Sequence, residues 1–182
     1  GNRIETQTIS ENDKFKSVVS SVLRYDGQME YTVEILPEED FNSDDVSMHF
    51  YINKDCSTLM HGLGHRASKA ENLSFKWDDD KQQDCIFIGC VNSGIRVKFK
   101  AEDCIRPLIN IFYKNLPLKI PASTWENNGR GGIQVNTCEE YTEINAFTGA
   151  FSFKKGEARR FIFEMSVTPF KPIDYKKAFT VR

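Results

Sequence analysis

Apolar and polar residues alternate with a period of two along much of the chain. Met29, Tyr31, Val33 and Ile35 alternate with Glu30, Thr32 and Glu34, which puts the first set on one face of a β-strand and the second on the other. Val46, Met48, Phe50 and Ile52 do the same against Ser47, His49, Tyr51 and Asn53, and Ile95, Val97 and Phe99 against Arg96, Lys98 and Lys100. Phe161, Phe163, Met165 and Val167 repeat the pattern. Strands with one dry and one wet face belong to antiparallel sheets. Residues 85–91 and 108–113 are apolar on both faces, which predicts covered strands in mid-sheet.

Turn residues fall between these runs. Asp26 and Gly27 predict a hairpin from residues 15–25 into the next strand. Asn92-Ser93-Gly94 predicts one from 85–91 into 95–100, and Lys155 with Gly156 one leading into 159–167. No window of about twelve residues holds an apolar stripe at helical spacing free of Gly, Pro and β-branched residues. Only 174–179 is expected to form a helical turn. About ten short strands are too many for one flat sheet. The pattern therefore predicts an all-β chain folded as a two-sheet antiparallel β-sandwich. The 182 residues suffice for one hydrophobic core. No repeat or Ser/Gly linker divides them, so a single domain over 1–182 is expected.

Charge narrows the partners. The 26 acidic and 24 basic side chains leave a formal charge of -2, and the cations form no stripe that could follow a phosphate backbone, so nucleic acid is not an expected partner. No apolar run approaches the ~20 residues of a membrane helix. Cys56, Cys85, Cys90, Cys104 and Cys138 are odd in number, show no C-x-x-C spacing, and read as small, mostly buried apolar residues. Gly1 in first position, with no signal-peptide pattern after it, reads as the cleavage scar of a trimmed chain.

Several strings carry candidate chemistry. His61 and His65 have the spacing of a helical metal pair, but Gly62 and Gly64 oppose a helix, and in an extended segment they stand about 13 Å apart. A glycine-rich loop or strand end is the better reading, and no metal or other cofactor is expected. Residues 38–45 and 78–80 are acidic but lack the Gly and closing Glu of a calcium loop, so they read as solvated loops. Sugar hydrolysis needs two carboxyl groups roughly 5 to 9.5 Å apart, and the sequence nominates no such pair. Asn127-Asn128-Gly129-Arg130-Gly131-Gly132 is the most distinctive string. Its glycines permit left-handed backbone, which suits either a tight connection between strands or a loop facing a sugar or an anion. Trp77 and Trp125 either fill the core or stack on a sugar ring. The candidate carbohydrate contacts are therefore Trp77, Trp125, Asn127, Asn128 and Arg130.

The order of landmarks supplies a further reading. Tyr25-Asp26-Gly27-Gln28-Met29 is followed by Gly62-Leu63-Gly64, Trp77-Asp78, Ile88-Gly89 and Val91-Asn92-Ser93-Gly94. Trp125 to Gly132, Phe147-Thr148-Gly149 and Val167-Thr168-Pro169-Phe170-Lys171-Pro172-Ile173-Asp174 come next. This series resembles the domain preceding the catalytic barrel in proteins similar to family 123 glycoside hydrolases, common in gut Bacteroides-type bacteria. The resemblance covers nearly the whole chain. It implies a β-sandwich of the galactose-mutarotase supersandwich type and a following (β/α)₈ barrel in the parent protein. Barrel enzymes hold their catalytic groups at the C-terminal ends of barrel strands, and no strand–helix alternation exists here, so no catalytic acid carries over. It also implies export to the periplasm or cell surface.

Three functions follow in order. The first is an accessory domain that docks on the barrel and lends it a loop. The second is a carbohydrate-binding module using the tryptophans or the 127–132 loop. The third is an interaction domain without sugar contact. Phe170, Ile173 and Phe179 are the expected part of the barrel-facing patch.

Overall fold

A computed structural model of the chain describes residues 3–77, 84–100 and 123–169. In chain order its first strands are β1 (Arg3–Glu11), β2 (Phe15–Arg24), β3 (Gln28–Pro37), β4 (Phe41–Ser43) and β5 (Ser47–Asn53). β6 (Leu59–Gly62), β7 (His65–Lys69), β8 (Leu73–Lys76), β9 (Cys85–Gly89) and β10 (Gly94–Lys100) follow. After a one-turn helix, α1 (Ser123–Glu126), come β11 (Gly132–Thr137), β12 (Tyr141–Phe147), β13 (Phe151–Phe153) and β14 (Arg159–Thr168). An eight-stranded sheet runs β1-β2-β3-β14-β10-β9-β6-β7, a four-stranded sheet β5-β12-β11-β8, and β13 pairs with β4 alone. All the pairings are antiparallel.

One core fills the space between the two larger sheets. Ile86, Ile88, Val97, Phe99 and Phe161 come from the eight-stranded sheet, and Phe75, Ile133, Val135, Ile144 and Ala146 from the four-stranded one. The alternation explains the register. Val97 faces Met165 and Phe99 faces Phe163 across β10 and β14, and Tyr31 faces Phe163 across β14 and β3. A slip of one residue would turn this whole set to solvent. Each buried Phe or Ile side chain contributes about 1.5–3 kcal/mol, more than the ~1 kcal/mol net of one hydrogen bond. Side-chain burial therefore selects among ladders that are otherwise equivalent.

The strands expected at 29–35, 46–52, 95–99 and 161–167 fall within or upon β3, β5, β10 and β14. β9 is an interior strand, as its apolar run implies. The Asp26 and Gly27 hairpin is present: Gly27 takes φ +81°, its N–H donates to the Arg24 carbonyl at 3.0 Å, and Asp26 Oδ1 accepts from the Gln28 N–H at 3.1 Å. The turn at Asn92-Ser93-Gly94 joins β9 to β10, closed by the Cys90 N–H on the Ser93 carbonyl at 2.6 Å.

Lys155 and Gly156 do not close a hairpin. They carry the chain from β13, in the small sheet, to β14, which pairs with β3 and β10. Turn chemistry marks a reversal, but the apolar face of β14 belongs to the main core and selects other partners. A 3₁₀ turn at Lys54–Cys56 and the helix α1 were also not expected. The segments 108–113, 174–179 and 78–80, with Phe170, Ile173 and Phe179, lie outside the described residues.

His61 and His65 flank a β6–β7 hairpin whose turn residues Leu63 and Gly64 take φ +51° and +79°. His65 Nε2 lies 2.8 Å from Glu71 Oε1. Among the described residues no group of three or more His, Cys, Asp or Glu could hold a metal, and no helix is long and apolar enough to cross a membrane. The acidic segment near β4 is partly structural, since Asp45 Oδ1 accepts from the N–H groups of Thr148 and Gly149 at 3.0 and 2.8 Å.

The outer face of the large sheet holds a buried carboxylate. Glu164 is 5% exposed and lies 2.8 Å from both Arg96 and Lys100, with Gln28 Nε2 donating at 2.5 Å. Burial alone would raise its pKa. The hydrogen bond and charge of Lys100, with Lys98 and Arg96, outweigh it and hold the carboxyl below its usual range.

Candidate functional site

The Asn127-Asn128-Gly129 string forms a left-handed loop. Asn127, Asn128 and Gly129 take φ +47°, +56° and +78° in succession, directly after α1. Asn tolerates this region because its short side chain bonds locally. The Asn127 amide is 9% exposed, and its Nδ2 donates to the carbonyls of Thr148 at 2.9 Å and Ala150 at 2.8 Å. It latches the loop onto the connection between β12 and β13. Close packing explains the glycine at 131, where an added Cβ would lie 1.8 Å from the Trp125 carbonyl oxygen.

Trp125 anchors the loop from below. It is 2% exposed, its Nε1 donates to the Ile162 carbonyl at 3.1 Å, and its ring meets Phe99 and Phe161 edge-on at 5.3 Å each. In this position it offers no ring face to a sugar. Trp77 is half-buried, edge-on to Phe75 at 5.4 Å and to Phe99 at 5.6 Å. Its Nε1 is buried and has no hydrogen-bond partner among the described residues. The two tryptophans are therefore joined through Phe99 in the core and do not form a stacking platform.

Asn127, Asn128 and Arg130 do come together, at a cleft of about 330 Å³. Thr124, Phe151, Ser152 and Arg159 complete its lining. Asn128 and Arg130 are exposed, while Phe151 is half-buried and forms an apolar wall. The Arg130 Nη1 donates to the Ala150 carbonyl at 2.9 Å, and Arg159 Nη2 lies 3.2 Å from Glu157 Oε2. Each guanidinium has five N–H donors, so both retain donors for a ligand. Ser152 Oγ is fixed on Asn42 at 2.9 Å. The cleft can hold an oxygen-rich ligand through amide, hydroxyl and guanidinium groups beside one aromatic wall. Among the described residues its lining includes no carboxylate, whereas glycoside hydrolysis takes two.

Phe151, Ser152 and Arg159 were not singled out in the sequence. Local pattern carries no signal for them, because the crossing from β13 to β14 brings them to the loop.

This architecture is an all-β, two-sheet antiparallel sandwich with a polar cleft at a latched, glycine-rich loop. The chain belongs to the family described as glycoside hydrolase 123, third domain, whose model matches residues 1–169. A third domain comes with other domains in the same protein. Among solved structures, the Slr1438 protein from Synechocystis sp. PCC 6803 is 11% identical, with 91% of this chain and 61% of that chain covered and a TM-score of 0.45. The galactose mutarotase related enzyme from Lactobacillus acidophilus is 10% identical, with 91% and 68% covered and a TM-score of 0.46. The chain thus spans under two thirds of the length of the Synechocystis protein. No curated protein matches the chain.

Proposed function

We propose that residues 1–182 form one accessory, non-catalytic domain of a glycoside hydrolase, supporting a catalytic barrel elsewhere in the same protein during carbohydrate breakdown. The observation that carries this reading is the family match over residues 1–169. The cleft agrees with it: its donors suit contact with substrate hydroxyls, and the described residues of its lining include no acid pair for hydrolysis. In this reading the barrel follows the domain, the 127–132 loop borders the substrate path, and the parent works in the periplasm or at the cell surface. A second reading, an autonomous carbohydrate-binding module, draws its support from Asn128 and Arg130, which stand exposed at the cleft.

The test mixes the 182-residue chain with the separately produced remainder of its parent protein. The expected result is a complex in which the remainder melts higher and turns over an aryl glycoside faster, while the chain alone is inactive. Hydrolysis by the chain alone that disappears on replacing one of its own carboxylates would overturn the proposal. Asn128→Ala and Arg130→Ala then separate the readings. A lower rate in the complex supports a lent loop, whereas lost glycan affinity in the chain alone supports the module.

A further inference from the structure

The outward face of the four-stranded sheet is a lattice of aromatic and amide side chains. Register sets it out in rows. Tyr51 pairs with Glu143 and Glu143 with Asn136, while His49 pairs with Asn145 and Asn145 with Gln134. The residues between them, Met48, Phe50, Ile52, Ile144 and Val135, point into the core, so the strand period turns all six side chains outward together.

The side chains are held in place. Glu143 Oε1 lies 2.9 Å from His49 Nδ1, and Glu143 Oε2 accepts from Asn136 Nδ2 at 3.1 Å. His49 Nε2 in turn lies 3.2 Å from Ser47 Oγ. Tyr51 is 63% exposed and Tyr141 38% exposed, and their rings meet edge-on at 5.3 Å with 81° between planes, one forming a floor and the other a wall. Among the described residues Asn145 Oδ1 is buried with no hydrogen-bond partner. Ordering surface side chains costs entropy, and this network has met that cost before any ligand arrives.

We infer that this face binds a neutral saccharide, with Tyr51 stacking on the apolar C–H face of a sugar ring and Glu143 and Asn136 pairing with its hydroxyls. The chemistry discriminates against other occupants. A protein-docking core is depleted in charge, whereas this face sets the Glu143 carboxylate and its His49 partner at its centre, among amides. An anionic ligand would meet Glu143, which already carries negative charge. The site is separate from the cleft and does not depend on the accessory reading.

The test presents the 182-residue chain to an array of neutral oligosaccharides beside sulfated and uronate-bearing ones, then titrates the tightest by calorimetry. Binding should favour neutral oligosaccharides. Tyr51→Ala and Glu143→Gln should each weaken it at least tenfold, Tyr51→Phe should retain most of it, and Tyr25→Ala, an exposed tyrosine on a distant hairpin, should leave it unchanged. Circular dichroism melts confirm that each variant is folded. The inference is overturned if the folded chain binds no neutral oligosaccharide, if it selects the charged glycans, or if Tyr51→Ala binds as well as the parent sequence. Loss of binding in Asn128→Ala alone would move the site to the cleft and overturn it as well.

Discussion

Replacing Asn127 by alanine should destabilise the chain by about 3–5 kcal/mol, and the structure resolves where that figure comes from. The Asn127 amide donates to two carbonyls, those of Thr148 and Ala150. The Ala150 carbonyl keeps a partner in Arg130 Nη1, so its lost bond costs about 1 kcal/mol net. Thr148 is fully buried, and leaving its carbonyl less satisfied costs about 1–3 kcal/mol. Alanine at φ +47° adds strain of roughly 1 kcal/mol. Asn127→Gly removes the strain but not the lost bonds, and should fall between alanine and the parent sequence. Asn127→Asp sets a carboxylate against two carbonyl oxygens and should be at least as harmful as alanine. Urea denaturation followed by tryptophan emission measures all three. Thermal midpoints should drop by roughly 2–4 °C per kcal/mol for a chain of this size. An alanine variant within about 0.5 kcal/mol of the parent, the scatter of an ordinary surface change, would refute the latch. So would an aspartate variant of undiminished stability.

Other expectations follow from the same geometry. The folded pKa of Glu164 lies below its ordinary value of 4.5, so its stabilisation is complete at neutral pH. It declines only as pH falls below that value toward the depressed one, and Glu164→Gln should flatten the acid limb of a stability-against-pH curve. Gly131→Ala, whose Cβ would meet the Trp125 carbonyl at 1.8 Å, should cost at least the ~1–3 kcal/mol of an overpacked core in chemical denaturation. Trp125→Phe keeps most of the buried ring but loses the bond to the Ile162 carbonyl, so a loss of about 1 kcal/mol is expected. Trp125→Ala should lose about 3–5 kcal/mol.

Half-buried strands announce themselves, which is why β3, β5, β10 and β14 were legible from alternation alone. Their partners were not. Lys155 and Gly156 have hairpin chemistry, yet the strands on either side of them belong to different sheets, because pairing is decided by which face is buried and not by the turn. The 127–132 string stood out locally, and Asn127, Asn128 and Arg130 do line the cleft. Trp125 and Trp77 carry no mark in sequence that distinguishes a core ring from a stacking ring. The rows around Tyr51 and Glu143 escaped notice for the opposite reason: each residue is an unremarked polar position on its own strand, and only register assembles them.

The edge-on series Trp77, Phe99, Trp125, Phe161 and Phe151 also makes the protein its own optical instrument. Trp125 emits from a dry interior and Trp77 from a half-exposed position on the same core, so a water-soluble quencher should dim Trp77 first. In a Trp77→Phe variant the remaining emission belongs to Trp125 alone, the ring beneath the latched loop. A red shift that precedes global melting would then time the release of the loop at the cleft, without any attached dye.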